Sequence, residues 1–216
     1  MEGLITTMER AVLNKRWRLV LLCLGLALFF ISGCAKTAKE VKPGKAIINP
    51  ASIKPGLAVL YFEEFYRHIN RMPTGETALK EGKPGKPIPY LNHRFGDGPV
   101  FDSGLSRGVG VQMTGFIRFP SAGLYLMKAK SNDGIRIFIN NEMIIDDPIV
   151  HSGGDRFSRE ASVSVDKPGW YSFFLQYFQR KGTSMLELYW RLPGQADFSI
   201  VPADAFGHAA AAGKTD

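Results

Sequence analysis

Only two cysteines stand among the 216 residues, and neither has the setting of half a structural disulfide. Cys23 lies inside an apolar run and Cys34 ends it. The four histidines are scattered, so no Cys/His cluster with metal-ligand spacing exists. Phosphate-cradling glycine loops and metalloprotease helices are also missing from the sequence. The apolar run at 19–31 is shorter than the roughly 20 residues a spanning helix needs. Charge of one sign is not abundant either. The net charge is +7, and no basic cluster alternates with aromatics along one element, so no nucleic-acid partner is expected.

What is present suits many short strands. The chain is 45% hydrophobic and 12% aromatic, enough for one cored domain with tails. Its 23 glycines and 13 prolines favour turns over long helices.

The N-terminus reads as an address. Arg10, Lys15, Arg16 and Arg18 precede the apolar run, and Ser32, Gly33 and Cys34 follow it. A charged region, a short apolar region and small residues before a cleavage point make a secretory signal over residues 1–33; Met8 is an alternative start. A Cys directly after Ser-Gly resembles the lipobox of bacterial lipoproteins. That resemblance implies lipidation at Cys34, a membrane partner through the lipid, and a place in the bacterial cell envelope. An uncleaved anchor, or a signal peptide with an incidental Cys, is the alternative. Residues 34–56 hold Lys36, Lys39, Lys42, Lys45, Lys54, Pro43, Pro50 and Pro55 with few bulky apolar groups, which predicts a flexible tether. Residues 207–216 read as a disordered tail.

The compact domain is expected over 57–206. Residues 57–66 are apolar and aromatic and open a sheet, although Glu63 and Glu64 also permit a helical turn. Residues 71–108 are rich in Gly, Pro and charge and read as a long excursion without regular structure over 83–89. From Val109 the period becomes two. Ile135, Ile137 and Ile139 share one face, with Arg136 and Phe138 on the other. Asn140 and Asn141 fit a tight hairpin. Residues 170–178 are apolar on both faces, as in a central strand. Leu186, Leu188 and Trp190 face inward against Glu187, Tyr189 and Arg191. The pattern predicts an all-β fold, an antiparallel sandwich or barrel.

Four blocks then carry a resemblance. They are GFIRFPSAGLYL at 115–126, SNDGIRIFIN at 131–140, NEMIID at 141–146, and PGWY at 168–171 followed by Tyr177 and LELYW at 186–190. Their order and spacing resemble the protective-antigen-type, or PA14, domain. The resemblance implies a β-sandwich or barrel that serves mostly as a carbohydrate-binding or protein-contact module and is not itself a catalyst. In the sugar-binding members, two adjacent Asp at an Asp-Asp-Gly corner, joined by a cis peptide, hold calcium together with an Asn from a later loop. Carried over, this names Asn132, Asp133 and Gly134 as the ligand-binding corner, with Asn132 and Asp133 as calcium ligands and Gln179 on the later loop. The sequence departs from the pattern in two places. Asn132 stands where the first Asp belongs, and the later loop offers Gln179, Arg180 and Lys181 but no Asn. A turn-stabilising role without metal is the alternative for the corner. So is a metal-free sugar platform using Tyr189 or Phe178.

Enzyme readings find no support in spacing. His151, Ser152 and Asp155 are too close in one loop to form a triad. Asp97 with Asp102, five apart in a glycine-rich loop, or Glu63 with Glu64, side by side in a strand, gives no evidence of the carboxylate pair that glycoside hydrolysis needs. The expectation is a lipid-anchored envelope protein presenting a non-catalytic glycan-binding module, with no cofactor beyond the calcium implied above. The alternative is an envelope assembly module that contacts protein and has no sugar affinity.

Overall fold

A computed structural model describes residues 39–41, 52–151 and 156–209. Cys34, the signal at 1–33 and the last tail residues, 210–216, lie outside the described residues. Fifteen strands are described: β1 (Lys39–Val41), β2 (Ile53–Pro55), β3 (Ala58–Glu63), β4 (Lys83–Pro84), β5 (Asn92–Gly96), β6 (Val109–Phe119), β7 (Gly123–Asn132), β8 (Ile135–Ile139), β9 (Glu142–Asp147), β10 (Arg156–Phe157), β11 (Ala161–Val165), β12 (Gly169–Gln179), β13 (Ser184–Arg191), β14 (Ser199–Ile200) and β15 (Phe206–Ala209). One helix, α1 (Gly75–Glu81), interrupts them.

The strands form two sheets. The smaller runs β1-β11-β7-β13-β14, with β10 also on β7 and β5 also on β13. The larger runs β2-β15-β6-β12-β8-β9, with β3 on β6 and β4 on β3. Neighbours are antiparallel except β1 and β11, which are parallel. The expected all-β sandwich is what the chain adopts.

Period-two patterning explains the layers. Ile135, Ile137 and Ile139 are fully buried while Arg136 and Phe138 between them are not. Val163 and Val165 of β11, and Leu186, Leu188 and Trp190 of β13, join them in one core cluster. Each such side chain stabilises the fold by about 1.5–3 kcal/mol relative to exposure. β12 is the central strand, paired along its length with β6 and in part with β8. Its last five residues are buried on both faces. A second cluster explains this: Phe62, Tyr66, Ile69, Met72 and Ala78 cover Phe178 from outside the larger sheet. Asn140 and Asn141, at φ 50° and 64°, make the expected tight turn between β8 and β9.

Three expectations change. The tether expected at 34–56 contains β1 and β2, and the tail expected from 207 begins with Gly207, His208 and Ala209 in β15. Ladder bonds use the backbone, so a polar Lys- or Pro-bearing segment can still add to an edge. Pro55 sits opposite Gly207 in that edge pair. The excursion at 71–108 also holds regular pieces, α1, β4 and β5. Thr74 precedes α1 as its cap residue without a side-chain bond, so the usual start signal is weak. Finally, Glu187 was expected to face solvent but is buried, with 1% exposure.

Candidate binding corner

The corner forms where β7 meets β8. Asn132 ends β7, and the Asn132-Asp133 peptide is cis, as the resemblance implied. Gly134 follows because nothing larger fits. A Cβ there would lie 2.5 Å from Cε1 of Phe178 and 3.0 Å from the Pro148 carbonyl carbon. Backbone bonds tie the corner to β12: Asp133 N–H donates to Phe178 O at 3.0 Å, and Phe178 N–H to Gly134 O at 3.0 Å. The Tyr177 hydroxyl donates to Asn132 O at 2.6 Å.

The side chains turn inward. Asn132, Asp133 and Gln179 are 4%, 2% and 0% exposed. Asp133 Oδ1 accepts the His151 N–H at 3.0 Å, and Oδ2 accepts the Arg180 N–H at 2.8 Å. One carboxylate therefore staples two segments, the one that holds His151 and the one beginning at Arg180. Asn132 Nδ2 donates to Thr183 O at 2.6 Å. Gln179 Nε2 donates to Gly182 O at 2.9 Å and to Thr183 O at 3.2 Å. Gln179 Oε1 is buried without a hydrogen bond.

His151 extends the network. Its Nδ1 lies 2.9 Å from Ser131 O, and its Nε2 lies 3.3 Å from Asp147 Oδ2. Asp147 is also paired with Arg156 through both of its oxygens. Sequence reasoning named His151 only within a rejected triad and did not name Asp147. The signal that could have found it is the Asp146-Asp147-Pro148 string closing the hairpin.

The donor set does not fit calcium. The ion wants six to eight oxygens, several of them carboxylate. Here one carboxylate is present, and each of its oxygens already accepts a backbone N–H. The Gly182 and Thr183 carbonyls accept side-chain amide N–H groups. Among the described residues no group of three or more His, Cys, Asp or Glu could hold a metal ion. Gln179 Oε1 and Ser131 Oγ are buried there without a hydrogen bond, too little to assemble a cage.

The other named residues are also placed. Phe178, one of two candidate platform rings, is fully buried, which removes it from any surface. Tyr189 lies on the outer side of the smaller sheet, its hydroxyl 2.7 Å from Glu187 Oε2. Asp102 accepts the Tyr61 hydroxyl at 2.5 Å and the Lys86 N–H at 2.9 Å. Burial alone would raise the Asp102 pKa, but these two donors hold it below the usual carboxylate range. Burial first, and the Asp102 bond second, push the Tyr61 hydroxyl well up. Glu64 Oε1 accepts the neighbouring Phe65 N–H, and Glu63 lies 3.6 Å from Lys83 Nζ. These carboxylates brace local structure.

Two stacked antiparallel sheets with a stapled corner between β7 and β8 define the class as a β-sandwich module. Residues 101–204 match the sequence model of the PA14 domain. A search of curated protein sequences returned no match. Among solved structures, an anti-sigma factor domain-containing protein from Clostridium clariflavum is similar at TM-score 0.59 and 20% identity, over 73% of this chain and 48% of that one. This chain thus spans about half the length of that protein. The PA14 domain of the antifreeze protein MpAFP is similar at TM-score 0.55 and 13% identity, over 76% and 96%. The Epithelial Adhesin 9 A domain from Candida glabrata, solved with Galb1-4GlcNAc, is similar at TM-score 0.58 and 11% identity, over 81% and 98%.

Proposed function

We propose that this chain is a lipid-anchored protein of the bacterial envelope that presents a non-catalytic carbohydrate-binding module. The observation that carries the reading is the PA14 match over 101–204. It is supported by the fold shared with an adhesin domain solved with a disaccharide. Support for the non-catalytic part comes from Asp102, Glu64 and Asp133, whose carboxylates brace a loop or strand.

The lipid at Cys34 anchors the module to the membrane. Two or more acyl chains hold a protein stably where one does not. Sugar binding in this reading does not depend on calcium, because the corner brings a single carboxylate where the ion wants several. The corner residues position the exposed loop at Lys181, Gly182 and Thr183 rather than touching the glycan themselves.

Two measurements test the reading. A glycan array probed with the full chain in detergent, with calcium and with a chelator, is expected to give reproducible hits that survive chelation. A blank array together with a co-purifying envelope protein replaces the reading with an assembly module. Metabolic labelling with a palmitate analogue is expected to mark the chain and to fail on Cys34→Ala. Equal label on both sinks the anchor.

A further inference from the structure

The outer side of the smaller sheet is not the plain polar surface that an antiparallel sheet usually turns to water. Lys128 and Lys130 of β7 stand directly opposite Tyr189 and Glu187 of β13. Phe157, on β10, is 47% exposed beside them. Phe198, just before β14, is half-buried on the far side.

Lys128 fastens the two rings. Its Nζ lies 4.6 Å from the Phe157 ring centre, 4.0 Å from the Phe198 ring centre and 3.8 Å from Glu160 Oε1. Phe157 also meets Tyr189 edge-on, with ring centres 5.6 Å apart at 66°. The cation is therefore held between two aromatic faces, and the rings are fixed before any ligand arrives. Preorganised rings lose little freedom on binding.

Polar groups flank the rings in a defined order. Tyr189 donates to Glu187 Oε2 at 2.7 Å, and Arg94 Nε donates to Glu187 Oε1 at 2.6 Å. Lys130 Nζ is 5.6 Å from the Phe157 ring centre, and Arg191 lies 5.6 Å from that of Phe198. Among the described residues, Arg94 pairs with Glu187 and Lys128 with Glu160, while Lys130 and Arg191 stand beside rings. The face is positive, and its counterpart is an anion.

We infer that this face is a second, metal-free binding site for an acidic polysaccharide, with sugar rings stacked on Phe157 and their carboxylates met by Lys130 and Arg191. The inference rests on the carbohydrate-binding reading and names the ligand class for it. A flat aromatic ring suits the apolar face of a pyranose, and the flanking donors suit its hydroxyls and acid groups. An anionic lipid surface would favour free, flexible lysines. Lys128 is instead only 20% exposed at its side chain and engaged on three sides. The buried corner at 132–134 offers none of these contacts.

The test compares the full chain with Phe157→Ala and Lys130→Ala, both changed at surface positions. The probes are polygalacturonate, its fully methyl-esterified neutral form, and vesicles of phosphatidylglycerol. The acid polymer is expected to bind at least about tenfold tighter than the ester, and each variant to lose about tenfold in affinity for it. Circular dichroism checks that the variants remain folded. If Phe157→Ala alone were misfolded, Lys130→Ala and raised salt, which screens the charge, would still decide. Polymer binding that the variants leave unchanged overturns the platform. So does binding of neutral glycans with no preference for the acid form, which leaves the carbohydrate reading standing. Absence of binding to any saccharide overturns both. Vesicle binding that falls with these variants, without polymer binding, overturns the assignment in favour of lipid.

Discussion

The corner at 132–134 and the outer face of the smaller sheet use similar residue types in opposite ways. At the corner, Asn132, Asp133 and Gln179 spend their polar atoms on backbone groups of two loops and are sealed from water. On the sheet face, Lys130 and Arg191 hold their charges beside the rings of Phe157 and Phe198. The difference teaches that a family's site position and a usable surface need not coincide. A polar group contributes to binding only where its partners are not already supplied by its own chain. Buried, hydrogen-bonded Asp and Asn behave as fasteners, and their removal is felt as lost stability.

The largest expected effect follows from that contrast. Asp133→Ala removes the acceptor of two N–H groups, those of His151 and Arg180. Each orphaned buried donor costs roughly 1–3 kcal/mol, so the domain is expected to lose about 3–5 kcal/mol by denaturant unfolding. A loss below about 1 kcal/mol would mean that the loops are held elsewhere. Calcium is expected to leave the unfolding curve of the parent chain unmoved. Stabilisation that grows with calcium concentration would show that the corner oxygens can be recruited, and would erase the distinction between the two regions.

Next in size is Gly134→Ala. The new Cβ meets the Phe178 ring at 2.5 Å, and Phe178 is fully buried beneath Tyr66. Overpacking of this kind costs about 1–3 kcal/mol. The check is the same unfolding measurement, with Phe178→Leu added as a second change. That pair is expected to be less destabilised than the sum of its parts, because the shorter side chain yields room. Strict additivity would place the strain in the backbone instead.

Much of the fold was legible because period two is a direct consequence of strand geometry. β8 and β13 were readable from alternation, β12 from its two apolar faces, and Asn140 and Asn141 from their tolerance of positive φ. The corner was legible through its block order. Its internal satisfaction was not, because the partners of Asp133 come from positions 18 and 47 residues away. β1, β2 and the start of β15 were missed for a related reason. Edge pairing is made by backbone groups, which side-chain pattern does not report. Helix α1 was missed because Gly and Thr at its start mask it within a Gly- and Pro-rich stretch. Phe178 was open between core and surface, and Glu187 was misread as facing solvent. Both are covered by distant segments, the 62–78 stretch over Phe178 and the Arg94 and Tyr189 side chains over Glu187.

Glu187 gives the smallest expected effect and the finest cut between the two regions. Burial by itself would raise its pKa. The hydrogen bonds from Arg94 and Tyr189, with the charges of Arg94 and Lys130, outweigh burial and hold it below the usual carboxylate value. A carboxyl depressed in the folded state stabilises the fold above its unfolded pKa, and that contribution disappears as pH falls through the folded value. Arg94 is largely exposed, so solvent screens much of the attraction. Glu187→Gln is therefore expected to lower the melting temperature by only about 2–4 °C at pH 7, the shift typical of a modest change in a domain of this size. The gap between parent and variant should close as pH drops below about 4.5, the unfolded carboxyl range. At the same time the variant should keep the corner intact, and its affinity for polygalacturonate should rise, because one carboxylate has left a face that attracts anions. A variant that melts lower but binds the polymer no better would make Glu187 a fastener like Asp133, and the sheet face would then resemble the corner more than it differs from it.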